Sequence, residues 1–330
     1  MATLISLPAR TAPKRLLLCG LLLFGAIAFL LGAEKKPQFN LILVGWDAVG
    51  RDDIKDALAK NQLPHLRRLI EKGSLVSIDV LHFSDTTAGW AEIFTGYGYE
   101  ITGAFNNSEY REIPKGYTLF ERLQERFGRE NIATGIMAIL PTDWTFTDDD
   151  PTDERPPLWN PANPDSIINK GLISFSARSA DEFDSSHFRT NPKTMAFLEK
   201  YRNMPFFLFV HTKMVDHFGH VNGEGSPEHR DALVRIDKHL GKIMAKLKEL
   251  HLEKKTLIYV TSDHGFDKKR QNHISAPRVF LASNDPKIIR GGEQADIAPT
   301  ILDRYGFDLS KIEPPLDGRS LLRRYKKPKW

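Results

Sequence analysis

The stretch "FNLILVGWDAVGRDDI", residues 39–54, packs three kinds of signal into sixteen positions. The apolar run from Leu41 to Trp46 has the length and content of a buried strand. It ends on an acid, Asp47, and "RDDIKDALAK" (51–60) then takes up helical spacing. Working outward, the same layout recurs. Apolar runs lie at "SLVSIDVLHF" (74–83), "NIATGIMAIL" (131–140), "MPFFLFVHT" (204–212), "KKTLIYVTS" (254–262) and "APRVFLAS" (276–283). Amphipathic stretches alternate with most of them: "LPHLRRLIEKG" (63–73, with Gly73 as the expected C-cap), "YTLFERLQERF" (117–127), "TMAFLEKY" (194–201) and residues 228–251. Strands alternating with helices predict an α/β fold, a mostly parallel central sheet covered by helices on both faces.

The 330 residues are 41% hydrophobic, ample for a sizeable core. Residues 1–33 carry Arg10, Lys14 and Arg15 and no acid, which leaves the remainder nearly neutral with 43 basic against 42 acidic residues. No zinc-finger spacing or basic–aromatic stripe appears, and the tail "RRYKKPKW" (323–330) reads as solvated, so no nucleic-acid partner is expected. The basic flank "RTAPKR" precedes an uncharged apolar run from Leu16 to Ala33, the layout of a signal peptide or signal anchor. Either one sends the body, residues 34–330, out of the cytoplasm, with at most a single membrane anchor. Cys19, the one cysteine, lies inside that run, so the body has no disulfide, thiol nucleophile or Cys metal site. From about Pro141 to His187 the chain is rich in Pro, Asp, Asn and Ser, and is expected to form an inserted cap or long loop.

In open α/β sheets, sites collect outside the carboxyl ends of the strands. One run delivers Asp47 there, a second leads into Asp216 and His220, and a third into Asp263 and His264, with His273 shortly after. A lone strand-end Asp is most often a turn or cap residue, but coincidences on one edge are not explained that way. His and carboxylate together favour zinc or a similar ion over calcium or magnesium. Asp216 and His220, four apart, can share a helical face. Asp263 and His264 can converge only where the chain is already leaving its strand, which Gly265 permits. About seven ligands suit two divalent ions rather than one, and a pair of ions roughly 4 Å apart clamps both oxygens of an in-line displacement. The stretch "FSDTTAGWAEIFTGYG" (83–98) follows another strand, and its two threonines read locally as helix caps.

In combination these motifs resemble the alkaline phosphatase superfamily, in particular its type I phosphodiesterase/nucleotide pyrophosphatase branch. "LVGWDAVGRDDI", "DHFGH", "SDHG", His273 and the late "DIAPTILDRYGFDLSKIEPPLDGRSL" carry the resemblance, which spans roughly Phe39 to Leu322. Counting ten residues back from the glycine of Thr95-Gly96, it implies Thr86 as nucleophile. It further implies one metal site from Asp216, His220 and His273, and another from Asp47, Asp263, His264 and Thr86. The implied activity is hydrolysis of a small-molecule phosphate ester, a diester or pyrophosphate ahead of a monoester. Two departures stand out: Gly89 takes the place of an asparagine expected three residues after the nucleophile, and Thr102-Gly103 replaces a His-Gly. Backbone amides near Thr87, or Asn106 or Asn107, are the candidate replacement donors. The alternatives are a sulfatase, for which "TTAGW" lacks the modifiable Cys or Ser and the Pro and Arg around it; a phospho-head-group transferase; and a non-catalytic binding member. The histidines at 65, 82, 187, 211, 229, 239 and 251 show no partner pattern and are read as structural, with Trp90 and Trp144 as packing residues.

Overall fold

A computed structural model describes residues 36–137 and 192–325. The leader at 1–33, the insertion expected at 141–187 and Trp144 lie outside the described residues.

Seven strands form one sheet in the order β3-β4-β1-β5-β6-β2-β7. They are β1 (Asn40–Trp46), β2 (Ser74–Asp79), β3 (Ala133–Met137), β4 (Phe206–Thr212), β5 (Thr256–Thr261), β6 (Arg278–Ser283) and β7 (Gly292–Glu293). The strands β3, β4, β1 and β5 are mutually parallel, β6 runs antiparallel to both its neighbours, and β2 and β7 are parallel. All six apolar runs form strands; β7 and the reversal of β6 go beyond the expectation. The start of the sheet is pinned by one side chain. Asn40 donates from Nδ2 to Thr256 Oγ1 at 3.2 Å, and its Oδ1 accepts from the Phe206 amide at 3.3 Å. The first residue of β1 thereby fixes the register of both neighbours.

The helices are α1 (Arg51–Ala59), α2 (Pro64–Ile70), α3 (Thr86–Thr95), α4 (Leu119–Phe127), α5 (Met214–Asn222), α6 (Pro227–Glu249) and α7 (Ile297–Arg304), with helical turns also at 192–200. Strand alternation sorts apolar side chains onto two faces. Leu41, Leu43, Phe207, Phe209 and Tyr259 pack with α3, α4 and α7 on one side. Ile42, Val44, Trp46, Leu208 and Val260 pack with α1, α2 and α6 on the other. Both faces are buried, which explains why the strands read as continuous apolar runs rather than alternating ones.

One local expectation changes. The C-cap of α2 is Glu71, not Gly73. Gly73 instead starts the turn into β2, where a Cβ would meet Ser283 O at 2.2 Å, so close backbone approach is what requires glycine there. The start of α2 lacks a capping side chain of its own, and buried Asp237 of α6 accepts the His65 and Leu66 amides at 3.1 and 2.8 Å. Among the described residues, no helix is long and apolar enough to cross a membrane.

Candidate metal centre

Each polar residue of interest sits just beyond a strand end. Asp47 follows β1 and is fully buried, and its amide donates to Thr212 O at 3.0 Å, extending the pairing with β4 by one residue. The next residue, Ala48, adopts φ +62°, unusual for a residue with a side chain. That turn is held by the loop after β5: the Ala48 amide donates to Asp263 Oδ1 at 3.2 Å and the Val49 amide to Ser262 Oγ at 2.9 Å. Asp263 Oδ1 also accepts the His264 amide at 3.0 Å, so this carboxylate is fixed through one oxygen.

The segment "MVDHFGHVN" forms α5, and its 3.6-residue turn places Asp216 and His220 on one face with Oδ1 and Nε2 3.2 Å apart. His273 arrives by the reversal of β6. Because that strand runs antiparallel, its beginning lies at the edge where the parallel strands end, and the loop before it brings His273 to that edge. The His273 ring stacks on His264 at 4.0 Å between centroids and lies 5.2 Å from His220.

The nucleophile candidate opens α3. Asp85 takes the N-cap position, so neither threonine is the cap, and Thr86 is the first helical residue. Thr86 Oγ1 lies 3.2 Å from His264 Nε2. Gly96 ends the helix at φ +77°. The ten-residue spacing from Thr86 to Gly96 is therefore the length of one helix. Trp90 is a core residue, packed on Phe94, Phe209 and His211.

The seven residues singled out in the sequence thus converge. Asp216, His220 and His273 form one group able to hold an ion, and Asp47, Asp216 and His264 form another, with their ligand atoms within 4.8 Å of one another in each group. Asp263 joins through a third group with Asp47 and His211. His264 Nε2 lies 3.4 Å from Asp47 Oδ1 and 3.7 Å from Asp263 Oδ2. Asp47 Oδ1 and Asp263 Oδ2 are buried and accept no well-formed hydrogen bond. Buried carboxylate oxygens so close together favour a bound cation, and three acids with four imidazoles, His211, His220, His264 and His273, suit a divalent one.

Electrostatics point the same way. Burial works to raise the Asp47 pKa, but the His211 hydrogen bond and the charges of Lys213, His211 and His264 outweigh it and hold Asp47 below the ordinary carboxylate range. Burial, with the Asp47 and Asp216 charges, pushes Asp263 well above that range. A cation between them would let both ionise. His220 is raised by its Asp216 hydrogen bond against burial, and His273 is lowered by burial and the His264 charge.

Two residues escape the sequence pattern or stay ambiguous in it. His211, read as structural, is fully buried with Nε2 3.2 Å from Asp47 Oδ2. Its signal is the register of β1 on β4, which pairs Gly45 with His211 and so sets the imidazole beside the strand end at Asp47. Asn107 is the asparagine that reaches α3: its Oδ1 accepts from Thr87 N at 3.0 Å and from Thr87 Oγ1 at 2.7 Å. Asn106 instead caps its own turn, accepting the Ser108 and Glu109 amides. At Gly89 a side chain is impossible without movement, because a Cβ would stand 2.5 Å from Asp263 O.

Residues 41–306 match the family described as type I phosphodiesterase / nucleotide pyrophosphatase. The Mus musculus protein Bis(5'-adenosyl)-triphosphatase enpp4 is 25% identical over 256 residues, 71% of this chain and 49% of that protein. The chain thus spans about half the length of this curated relative. A phosphonate monoester hydrolase from Silicibacter pomeroyi shares the fold at a TM-score of 0.53 and 18% identity, over 86% of this chain and 76% of that one. A TAB5 alkaline phosphatase mutant with bound Mg does so at 0.55 and 14%, over 83% and 99%.

Proposed function

The chain belongs to the type I phosphodiesterase / nucleotide pyrophosphatase family, and from that premise we propose that it hydrolyses phosphodiester or pyrophosphate bonds in small molecules, with Thr86 as nucleophile and two divalent metal ions, zinc by the donor set. The observation that carries this reading is Thr86 Oγ1 3.2 Å from His264, at the head of a helix and against a cluster of three buried acids and four imidazoles. Asp216, His220 and His273 would hold one ion; Asp47, Asp263, His264 and Thr86 would hold the other. When bound, such ions supply Lewis acidity that favours the alkoxide and stabilises the departing oxygen.

The chain's own residues account for the rest. Thr86 sits where the α3 amides give positive potential, which favours loss of its hydroxyl proton to water. Its oxygen then forms a bond to phosphorus as the bond to the leaving oxygen breaks. Water adds to the phospho-threonine, the Thr86 oxygen departs, and a phosphomonoester is released. Asn107 takes the part left open at Gly89. A backbone N–H only donates, so the atom facing Thr87 N is the carboxamide oxygen, and the NH₂ group is turned away from it. We assign that NH₂ group to a non-bridging oxygen of the substrate. The basic flank and apolar run up to Ala33 support a body outside the cytoplasm.

The test uses the full chain with zinc or manganese, assayed on bis-nitrophenyl phosphate, nitrophenyl phosphate and nitrophenyl sulfate. The expected result is diester turnover that disappears in Thr86→Ala while bound metal is retained. Full activity in that variant would remove Thr86 from the mechanism, and sulfate turnover above diester turnover would overturn the substrate class.

A further inference from the structure

The connection from β2 to α3, residues 80–85, leads directly into Thr86, yet little apolar burial secures it. Leu81 is 59% exposed and Phe83 44%. Its start is tied by the Val80 amide to Pro277 O at 2.9 Å. Further along, Ser84 O accepts from His273 Nδ1 at 2.5 Å. That bond fixes the tautomer, since a protonated Nδ1 leaves Nε2 as the nitrogen able to bind metal. The same short loop therefore sets both where α3 begins and how the His273 imidazole faces the cluster.

Between those two ties, His82 Nδ1 meets Glu92 Oε1 at 2.5 Å. Glu92 lies six residues into α3 from Thr86, and its side chain is 5% exposed. A buried carboxylate in the middle of an otherwise apolar helix needs a reason. We propose that the His82–Glu92 pair is a clasp that positions the nucleophile loop and, through Ser84, the His273 imidazole. His82 and Glu92 touch neither substrate nor metal in this scheme; they are positioning residues. The proposal rests on the reading of Thr86 and His273 given above.

The surroundings of His82 suit a cationic clasp. Acids face it from each element packed against it: Glu92 from α3, Glu100 from the helical turn Tyr99–Thr102, and Glu293 from β7. The His82 ring stands edge-on to Tyr99 at 5.3 Å, which restricts its rotation. The Glu92 hydrogen bond raises the His82 pKa against the effect of burial, and the charges of Glu92, Glu100 and Glu293 add to the rise. A histidine shifted upward keeps its pair intact below the ordinary value and loses it only as pH climbs through the raised one.

The experiment compares wild type, His82→Ala, His82→Asn and Glu92→Gln as full chains. An asparagine Nδ2 sits about where the imidazole Nδ1 does and donates to Glu92. His82→Ala is expected to lose roughly tenfold in kcat on bis-nitrophenyl phosphate with KM little changed, and roughly tenfold in zinc affinity by chelator competition. His82→Asn recovers most of both. Wild-type kcat falls on the alkaline side as His82 deprotonates, and this limb is missing in His82→Asn. In metal-free protein, the His82 pKa read by NMR drops in Glu92→Gln. Unchanged kcat and zinc affinity in His82→Ala would overturn the proposal, as would a His82→Asn variant as impaired as His82→Ala, which would indicate packing alone. If wild type hydrolyses none of the esters, the function fails but the clasp is still decided by zinc affinity and the NMR titration.

Discussion

At Gly89 the room for a side chain is set by a single neighbouring peptide. The α3 backbone passes so close to the loop after β5 that an added Cβ would stand 2.5 Å from Asp263 O and 2.9 Å from Asp263 Cβ. Buried Gln294 donates to the same carbonyl, so moving the Asp263 peptide to admit a side chain would also disturb that bond. Gly89→Ala is expected to cost about 2 kcal/mol of stability, measured by denaturant melts, and to weaken metal binding. An asparagine at this position, the absence of which in the sequence looked like a lost substrate contact, is sterically excluded. The residue-level signals legible in the sequence were those where one motif holds both partners, such as Asp216 with His220 or Asp263 with His264. His211 was not legible, because its partner Asp47 is 164 positions away and meets it only through the β1–β4 register.

Among the elements, α3 and the loop carrying Asn107 meet at Thr87, beside the proposed nucleophile. The helix supplies Thr86 at its first position and a closing Gly96 in the left-handed region, so the ten-residue spacing read in the sequence is the length of this helix. The loop supplies a carboxamide locked on Thr87 by two hydrogen bonds. Asn107→Ala is expected to lower diester kcat/KM by about a hundredfold, the usual scale for removing one donor to a developing oxyanion, with zinc content unchanged. A matched control lies on α4, where Thr118 and Glu121 form a capping box: Glu121 N donates to Thr118 Oγ1 at 3.4 Å and Thr118 N to Glu121 Oε2 at 3.2 Å. Thr118→Ala should cost about 1 kcal/mol in melts and leave kcat/KM alone. The strand–helix alternation was legible throughout because both sheet faces are buried. The reversal of β6 was not, since an apolar run carries no direction, yet it is this reversal that lets His273 reach the cluster.

At the scale of the whole molecule, ionisation also couples stability to pH away from the candidate site. Burial raises Asp53 of α1 to about 7, with the Glu224 charge adding to the rise. The folded protein thus keeps a proton that the unfolded chain releases near the ordinary 3.8, and this site contributes a loss of stability as pH climbs from about 4 to about 7. Asp53→Asn keeps the acceptor for the Gly50 amide, so it should melt above wild type at pH 8 and converge with it toward pH 4. The metal cluster adds a second term. Removing bound metal with a chelator at pH 7 should lower the melting temperature, because three buried carboxylates, Asp47, Asp216 and Asp263, are then left with only Lys213 and the nearby imidazoles as partners.

The side chain that ties three strand beginnings together also sets a timetable for the chain. Asn40 is joined to Phe206 across 166 positions and to Thr256 across 216. During synthesis, β1 emerges long before either of its neighbours, so its apolar face and the acid at its end must wait through most of translation without their partners. The full set of candidate ligands cannot meet until the last third of the body has been made, because Asp263, His264 and His273 all lie there.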